Sequence, residues 1–256
     1  MKIIDLSVAI ENDIPADPPG LGPKLIYKSH AEGAREYETF FPGLNGADLP
    51  DGEGPAVEIL TGSTHTGTHL DAPWHFASTM NHGQRALTID EVPLDWCLRP
   101  GVKLDFRHLP DGHIVTAAEV QAALDAIGHR LSPFDIVLMN TAAGAAYGQP
   151  DYIHKGCGFG REATLWLLAQ GVRITGTDAW SWDPPFSFTR QRFGASQDAA
   201  LIWEGHKAGR DGVFLHLEKL TRLDSLPPSG FTVSCLPVKI KAASAGWCRA
   251  VALLDA

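Results

Sequence analysis

The sequence predicts an α/β fold, a mixed β-sheet core with flanking helices, in one domain spanning residues 1–256. Three observations predict it. Short β-rich runs alternate with helical patterns along the chain, at least one helix carries its own start and stop signals, and no internal repeat or linker divides the sequence. At 256 residues, 44% apolar and 20% charged, the chain is long enough to bury one sizeable core and is not disordered in composition.

The candidate strands are Ile3 to Val8, Val57 to Leu60, Val102 to Phe106, Ile136 to Asn140, Val172 to Thr177, Val213 to Glu218 and Phe231 to Val238. Each is a short run rich in β-branched or aromatic residues. The stretch T-A-A-E-V-Q-A-A-L-D-A-I-G predicts a helix, because Thr116 and Glu119 form a capping box and Gly128 supplies a stop. A second helix is predicted over Arg161 to Gln170, closing at Gly171, and a third from Ser196 to about Glu204. The Gly- and Pro-rich segment from about Asp17 to Pro55 reads mostly as loop.

Composition narrows the function. A formal net charge of −9 with no basic run disfavours a phosphate-binding surface, so nucleic acid is not an expected partner. The N-terminus meets acid at Asp5 before any apolar signal core builds, and no stretch approaches the roughly 20 apolar residues of a membrane span. A cytoplasmic protein without a membrane partner is expected. Cys97, Cys157, Cys235 and Cys248 lie far apart with no C-x-x-C pair, which suits reduced thiols.

The segment S-T-H-T-G-T-H-L-D-A-P-W-H-F, Ser63 to Phe76, holds three histidines and an aspartate in fourteen residues. Gly67, the threonines and Pro73 oppose a helix, so an extended segment is expected. Its period of two points His65, Gly67, His69, Asp71, Pro73 and His75 to one side. Any one of these histidines is explained by a polar loop. Together, three imidazoles and a carboxylate on one face cost desolvation unless they share a cation. They form a ligand set for Zn²⁺, Mn²⁺ or Fe²⁺, and the absence of cysteine from it favours an open, catalytic metal over a closed structural one.

At these residues the chain resembles the cyclase family of metal-dependent hydrolases, which includes bacterial kynurenine formamidases and isatin hydrolases. His65, Gly67, Thr68, His69, Asp71, Pro73 and His75 fit its H-x-G-T-H-x-D-x-P-x-H signature. D-L-S at Asp5 to Ser7, G-T-D-A-W-S-W-D-P from Gly176 to Pro184 and E-K-L-T-R-L-D-S-L-P from Glu218 to Pro227 extend the likeness over most of the chain. The resemblance implies the swivelling β/β/α fold of that family and assembly as a homodimer or homotetramer. It implies that His65, His69 and Asp71 bind a first metal and that His75 is the acid/base. A second metal would be held by the shared Asp71 with His206 and Glu218. One or two ions per chain, zinc or manganese, both fit. Apart from the resemblance, Glu218 at a strand end reads as a solvated charge and His216 as a satisfied buried histidine.

The implied chemistry is amide hydrolysis by a metal-activated water, on an aryl formamide or a cyclic amide such as isatin, with a lactone as the alternative substrate. Trp74, Trp180, Trp182, Phe186 and Phe188 cluster around the signature segments and suit a slot for a planar ring; core packing explains them equally. Asp178 and Asp183 flank the tryptophans and either orient a ligand or cap a turn. Trp74, Trp180, Asp178 and His216 are the candidate pocket residues. From other classes, an iron oxygenase with a 2-His-1-carboxylate triad expects an all-β jelly roll, and a non-catalytic metal-binding protein needs no acid/base at His75.

Overall fold

Strands and helices alternate from end to end in the computed structural model, which describes residues 1–254. The sheet strands are β1 (Lys2–Asp5), β4 (His69–Asp71), β5 (Leu98–Asp105), β6 (Ile136–Asn140), β7 (Ile174–Thr177), β8 (Leu215–Glu218), β9 (Phe231–Ser234), β10 (Ala245–Trp247) and β11 (Val251–Leu254). A separate antiparallel hairpin pairs β2 (Lys24–Lys28) with β3 (Val57–Thr61). The helices are α1 (His30–Phe40), α2 (Pro73–Phe76), α3 (Ala117–Ala126), α4 (Arg161–Ala169), α5 (Phe186–Ser196) and α6 (Glu204–Lys207).

The nine-stranded sheet runs in the order β1-β11-β9-β5-β6-β7-β8-β4-β10. Its centre, β5 to β8, is parallel; both flanks are antiparallel. Parallel strands need crossovers, and α3 to α6 lie in those connections. Every residue of β6 and β7 is buried, as expected of central strands covered on both faces. Val102, Leu104, Val137 and Met139 pack on one face against Val120, Leu124 and Leu167 of α3 and α4. Ile136, Leu138, Ile174, Leu215 and Leu217 fill the other face with Ile4, Leu6 and Leu70. The predicted mixed sheet with flanking helices is the architecture observed.

α3 carries the full Thr116–Glu119 capping box, and α4 ends before Gly171, whose φ of 92° is the left-handed conformation that favours glycine. Two expectations are corrected. The segment from Asp17 to Pro55 contains α1 and a strand, not mainly loop. Ser29 and Glu32 cap α1 reciprocally, but its face is polar and only Gly33 and Ala34 are buried, so no apolar stripe announced it. Gly33 is there for contact: a Cβ would meet the Pro55 carbonyl oxygen at 2.1 Å.

The helix expected from Ser196 to Glu204 is α5 displaced upstream. It begins after Pro184–Pro185, with Pro185 at its N-cap, and ends where Gln197 turns left-handed at φ 56°. The chain then makes a 3₁₀ turn capped by Asp198 and enters α6 at Glu204. Proline before a helix was the boundary signal.

Among the described residues no helix is long and apolar enough to cross a membrane. All four cysteines are buried free thiols.

Candidate metal centre

The register of β4 builds the site. Glu218 of β8 lies opposite His69, and His216 lies opposite Asp71. Directly opposed residues project to the same face of a sheet, so two strand ends deliver two histidines and two carboxylates together.

The rest of the Ser63–Phe76 segment is not extended, which corrects the period-two expectation. Only His69–Asp71 is strand. Ser63 to Thr68 folds as turns, with Gly67 at φ 62° and Ile10 packed where a Cβ would sit. After Asp71, Pro73 opens α2, and its single turn carries His75 back toward Asp71. The histidines converge by reversal of the chain at both ends of a short strand.

The distances are those of a cluster. His65 Nδ1 lies 2.8 Å from Asp71 Oδ1, and His69 Nε2 lies 3.3 Å from Asp71 Oδ1 and 3.5 Å from Glu218 Oε2. His75 Nε2 is 3.9 Å from Asp71 Oδ2. His206, from α6, has Nε2 3.5 Å from Glu218 Oε1 and 4.0 Å from Asp71 Oδ2. His216 Nε2 is 3.6 Å from Glu218 Oε1.

Outer contacts fix four of the five rings, those of His65, His69, His206 and His216, with one nitrogen facing inward. The Gly67 carbonyl accepts from His69 Nδ1 at 2.8 Å, Asp183 accepts from His206 Nδ1, and Thr175 Oγ1 lies 2.9 Å from His216 Nδ1. Ser244 Oγ lies 2.9 Å from His65 Nε2, which leaves Nδ1 as that ring's inward atom. Such partners set the tautomer and aim of a metal-binding imidazole. Asp183 also accepts from the backbone N–H groups of Gly205 and His206, so it orients His206 as the sequence allowed.

Five buried atoms here have no hydrogen-bond partner of good geometry: His69 Nε2, both carboxylate oxygens of Asp71, His206 Nε2 and His216 Nε2. Leaving a buried polar atom unpaired costs about 1–3 kcal/mol, so five converging on one point call for a cation. Charge states agree. Burial opposes protonation of His69 and His206, yet Asp71 and Glu218 push His69 up to about 9, and Asp183 and Glu218 push His206 up to about 10. Against burial, the surrounding histidines hold Asp71 and Glu218 well below the usual carboxylate range. Among the described residues two groups have donor atoms close enough to hold a metal ion: His65, Asp71 and His75, and His69, Asp71 and Glu218, with Asp71 in both.

Over the cluster lies a cavity of about 440 Å³. His65, His75, His206 and Glu218 line it beside an apolar wall that includes Leu21, Trp180, Phe186, Ile202 and Trp203. Trp203, which nothing in the sequence pointed to, stacks on His206 with centroids 4.6 Å apart and stands edge-on to His75 at 4.9 Å. Its φ of 64° is left-handed, a conformation a bulky residue adopts only under outside constraint.

Of the candidate pocket residues, Trp180 lines the cavity. Among the described residues the other three do not. Trp74 is 41% exposed, because one turn of α2 sends neighbouring side chains to different sides. Asp178 accepts from the Thr141 backbone N–H and Oγ1 at the ends of β6 and β7, and burial pushes its pKa up to about 7. His216 lies beneath Glu218, fully buried, and burial pulls it down to about 3. Trp182 stacks on Phe159 in the core, and Phe188 packs on Gly112.

A sequence profile of the family described as Putative cyclase matches residues 4–184. The chain is 29% identical over 202 residues to a kynurenine formamidase of Erythrobacter litoralis (strain HTCC2594), a match spanning 78% of each sequence. Isatin hydrolase A from Ralstonia solanacearum is similar in structure, with a TM-score of 0.76 at 21% identity, over 99% of this chain and 92% of its own. An isatin hydrolase bound to the product analogue thioisatinate matches with a TM-score of 0.75 at 19% identity, over 100% and 93% of the two chains. These two likenesses are of fold.

Proposed function

The chain belongs to the putative cyclase family, and on that premise we propose that it is a metal-dependent hydrolase of a carbon–nitrogen amide bond in a small, planar aromatic substrate. The observation that carries the reading is the convergence of five unpartnered buried polar atoms under an aromatic-walled cavity. Of the similar proteins, a kynurenine formamidase and isatin hydrolases are hydrolases by name. Interleaved helices and parallel strands oppose the jelly roll an iron oxygenase of the triad type expects.

The proposed ligands are His65, His69 and Asp71 for one ion, with Asp71, His206 and Glu218 holding a second. Zinc or manganese suits this mixed imidazole and carboxylate set. When bound, a divalent ion lowers the pKa of its water from about 15.7 toward ~7 and polarises a carbonyl oxygen. His75 then moves the proton. Burial pulls its pKa down to about 4, so the ring is neutral at neutral pH, and Nε2, the atom turned toward Asp71, is the one that would carry the proton to the leaving nitrogen. Trp203 and Phe76 pack against its ring and hold its direction. Trp180 and Phe186, edge to face at 5.3 Å, offer the substrate ring an apolar wall and exclude water.

One observation favours a different role for His75. It belongs with His65 and Asp71 to a group close enough to hold one ion, and its ring lies 4.0 Å from that of His65. Ligand and acid/base are separated by the behaviour of a His75 variant.

One domain over the whole chain is part of the proposal, supported by the pairing of β1 with β11 at opposite ends of the sequence. So are a cytoplasmic location, which rests on the acid at Asp5 and the lack of a long apolar stretch, and a homodimer or homotetramer, which rests on the resemblance. Light scattering on the purified protein tests the assembly. The activity is tested by elemental analysis paired with a hydrolysis screen over isatin, N-formylkynurenine, other anilides and small lactones. Bound divalent metal and an activity abolished by chelation are expected. Full activity in metal-free protein ends the reading.

A further inference from the structure

Cys97 and Cys235 stand one step beyond the last residue pair of the β5–β9 ladder, in which Leu98 lies opposite Ser234. The Cys235 N–H donates to the Cys97 carbonyl at 2.9 Å and so carries the antiparallel pairing one residue further. Opposed residues of an antiparallel pair have Cα atoms about 4.5–5.5 Å apart, inside the roughly 4.4–6.8 Å that a disulfide spans. They also project to the same face of a sheet. The backbone therefore sets two thiols side by side.

The side chains meet. The Cys235 thiol donates to the Cys97 carbonyl at 3.5 Å and lies within hydrogen-bonding reach of the Cys97 sulfur. Both residues are fully buried, in the core cluster that holds Phe231 and Val233. Their contact divides the chemistry between them. The hydrogen bond from Cys235 holds the Cys97 thiol below its usual range, against burial, whereas the same bond and burial push Cys235 well above it. Cys97 is thus the readier nucleophile, and Cys235 the partner that keeps its proton. The other two thiols stand apart. Cys248 belongs to the same cluster, but among the described residues its thiol has no hydrogen bond to either, and Cys157 lies in the cluster on the opposite face of the sheet.

We propose that Cys97 and Cys235 are a modification site, a dithiol that hydrogen peroxide oxidises to a cross-strand disulfide. The inference is independent of the hydrolase reading, since neither cysteine belongs to the metal cluster or lines its cavity. The Cys97 sulfur attacks one peroxide oxygen, the O–O bond breaks, and the departing hydroxide takes up a proton as water, leaving Cys97 as a sulfenic acid. The Cys235 sulfur then attacks the Cys97 sulfur. The S–O bond breaks, the S–S bond forms, and the hydroxide leaves with the Cys235 proton as a second water. Two thiols lose two electrons, and one peroxide gains them. A small oxidant suits a pair with no exposed surface. The reduced pair is the resting state in a reducing compartment, where disulfides form transiently. Once made, the bond closes a loop that carries β5 to β9 and α3 to α6, and in the chain-entropy account long loops gain most from closure.

The test treats the holoenzyme with hydrogen peroxide, quenches with catalase, alkylates in denaturant and maps the unreduced peptides by mass spectrometry. A cross-linked Cys97–Cys235 peptide that dithiothreitol separates is expected, with Cys157 and Cys248 still alkylated. The thermal unfolding midpoint of the oxidised protein is expected to rise by about 5–15 °C and to return on reduction. Cys235→Ala removes the second thiol, so peroxide is expected to carry Cys97 on to the sulfinic acid with no rise in midpoint. Should that variant not fold, the peptide map of the wild type decides the question without it. Both thiols still alkylated in folded, peroxide-treated protein overturns the proposal, and so does a disulfide made through Cys248 instead. A Cys97–Cys235 bond formed with no rise in midpoint overturns its stabilising role.

Discussion

Glu218 and His69 face each other across the β8–β4 ladder, with Glu218 Oε2 3.5 Å from His69 Nε2. The same carboxylate presents its other oxygen to His206 at 3.5 Å. Glu218 thus bridges the signature strand and α6, a grouping that the family resemblance implied and that no local pattern of residues gives.

If Glu218 completes a second ion site, Glu218→Ala reduces bound metal by about one equivalent per chain while the first site stays filled. Elemental analysis of the purified variant reads this directly. Unchanged stoichiometry together with unchanged activity would remove Glu218 from the ligand set.

Asp183 acts one step further out. It holds His206 by the ring and by two backbone N–H groups at the start of α6. Asp183→Ala is expected to weaken metal retention by about 10- to 100-fold, as loss of an orienting carboxylate does. Titration with a competing chelator measures it; retention equal to wild type would make Asp183 a cap and nothing more.

The parts of this site legible in the sequence were those that lie close together in the chain. His65, His69, Asp71 and His75 fall within eleven residues, and turn-forming Gly67 and Pro73 stand where the chain reverses. The route to convergence was read wrongly, because a period of two describes one strand and cannot anticipate a turn and a helical turn on either side of it. Thr175 as the partner of His216 and Ser244 as that of His65 depend on tertiary pairing, which leaves no local mark, whereas Asp183 stood beside the tryptophans as a group able to orient a ligand. Trp203 and Lys219 owe their positions to left-handed backbone at non-glycine residues, against their own preference. α1 is a different case: its capping box at Ser29 and Glu32 was readable, and was masked by glycines and a polar face.

Stability should respond to pH through Asp178, which lies away from the metal cluster. Burial raises its folded pKa from 3.8 to about 7, so its contribution is fully present below about 4 and is lost as pH rises through about 7. Relative to Asp178→Asn, wild type is expected to lose stability across that window by an amount on the order of a few kcal/mol. Denaturant midpoints at pH 4 and pH 8 for both proteins test the sign. A difference that is constant with pH contradicts it.

The remaining prediction concerns His75. Its Nε2 lies 3.9 Å from Asp71 Oδ2, farther than His65 or His69 from that carboxylate, and its side chain reaches the cavity from α2. Replacing it removes a proton carrier but neither of the two closer imidazoles, His65 and His69. His75→Ala is therefore expected to keep its metal and fold while kcat falls by about 10²- to 10⁴-fold, with less effect on KM than on kcat. Metal content and steady-state kinetics on the same preparation decide it. Loss of metal in proportion to loss of activity would instead make His75 a ligand alongside His65 and Asp71. The proton would then need another carrier, and His216 is a poor one, since it lies fully buried beneath Glu218 and does not line the cavity.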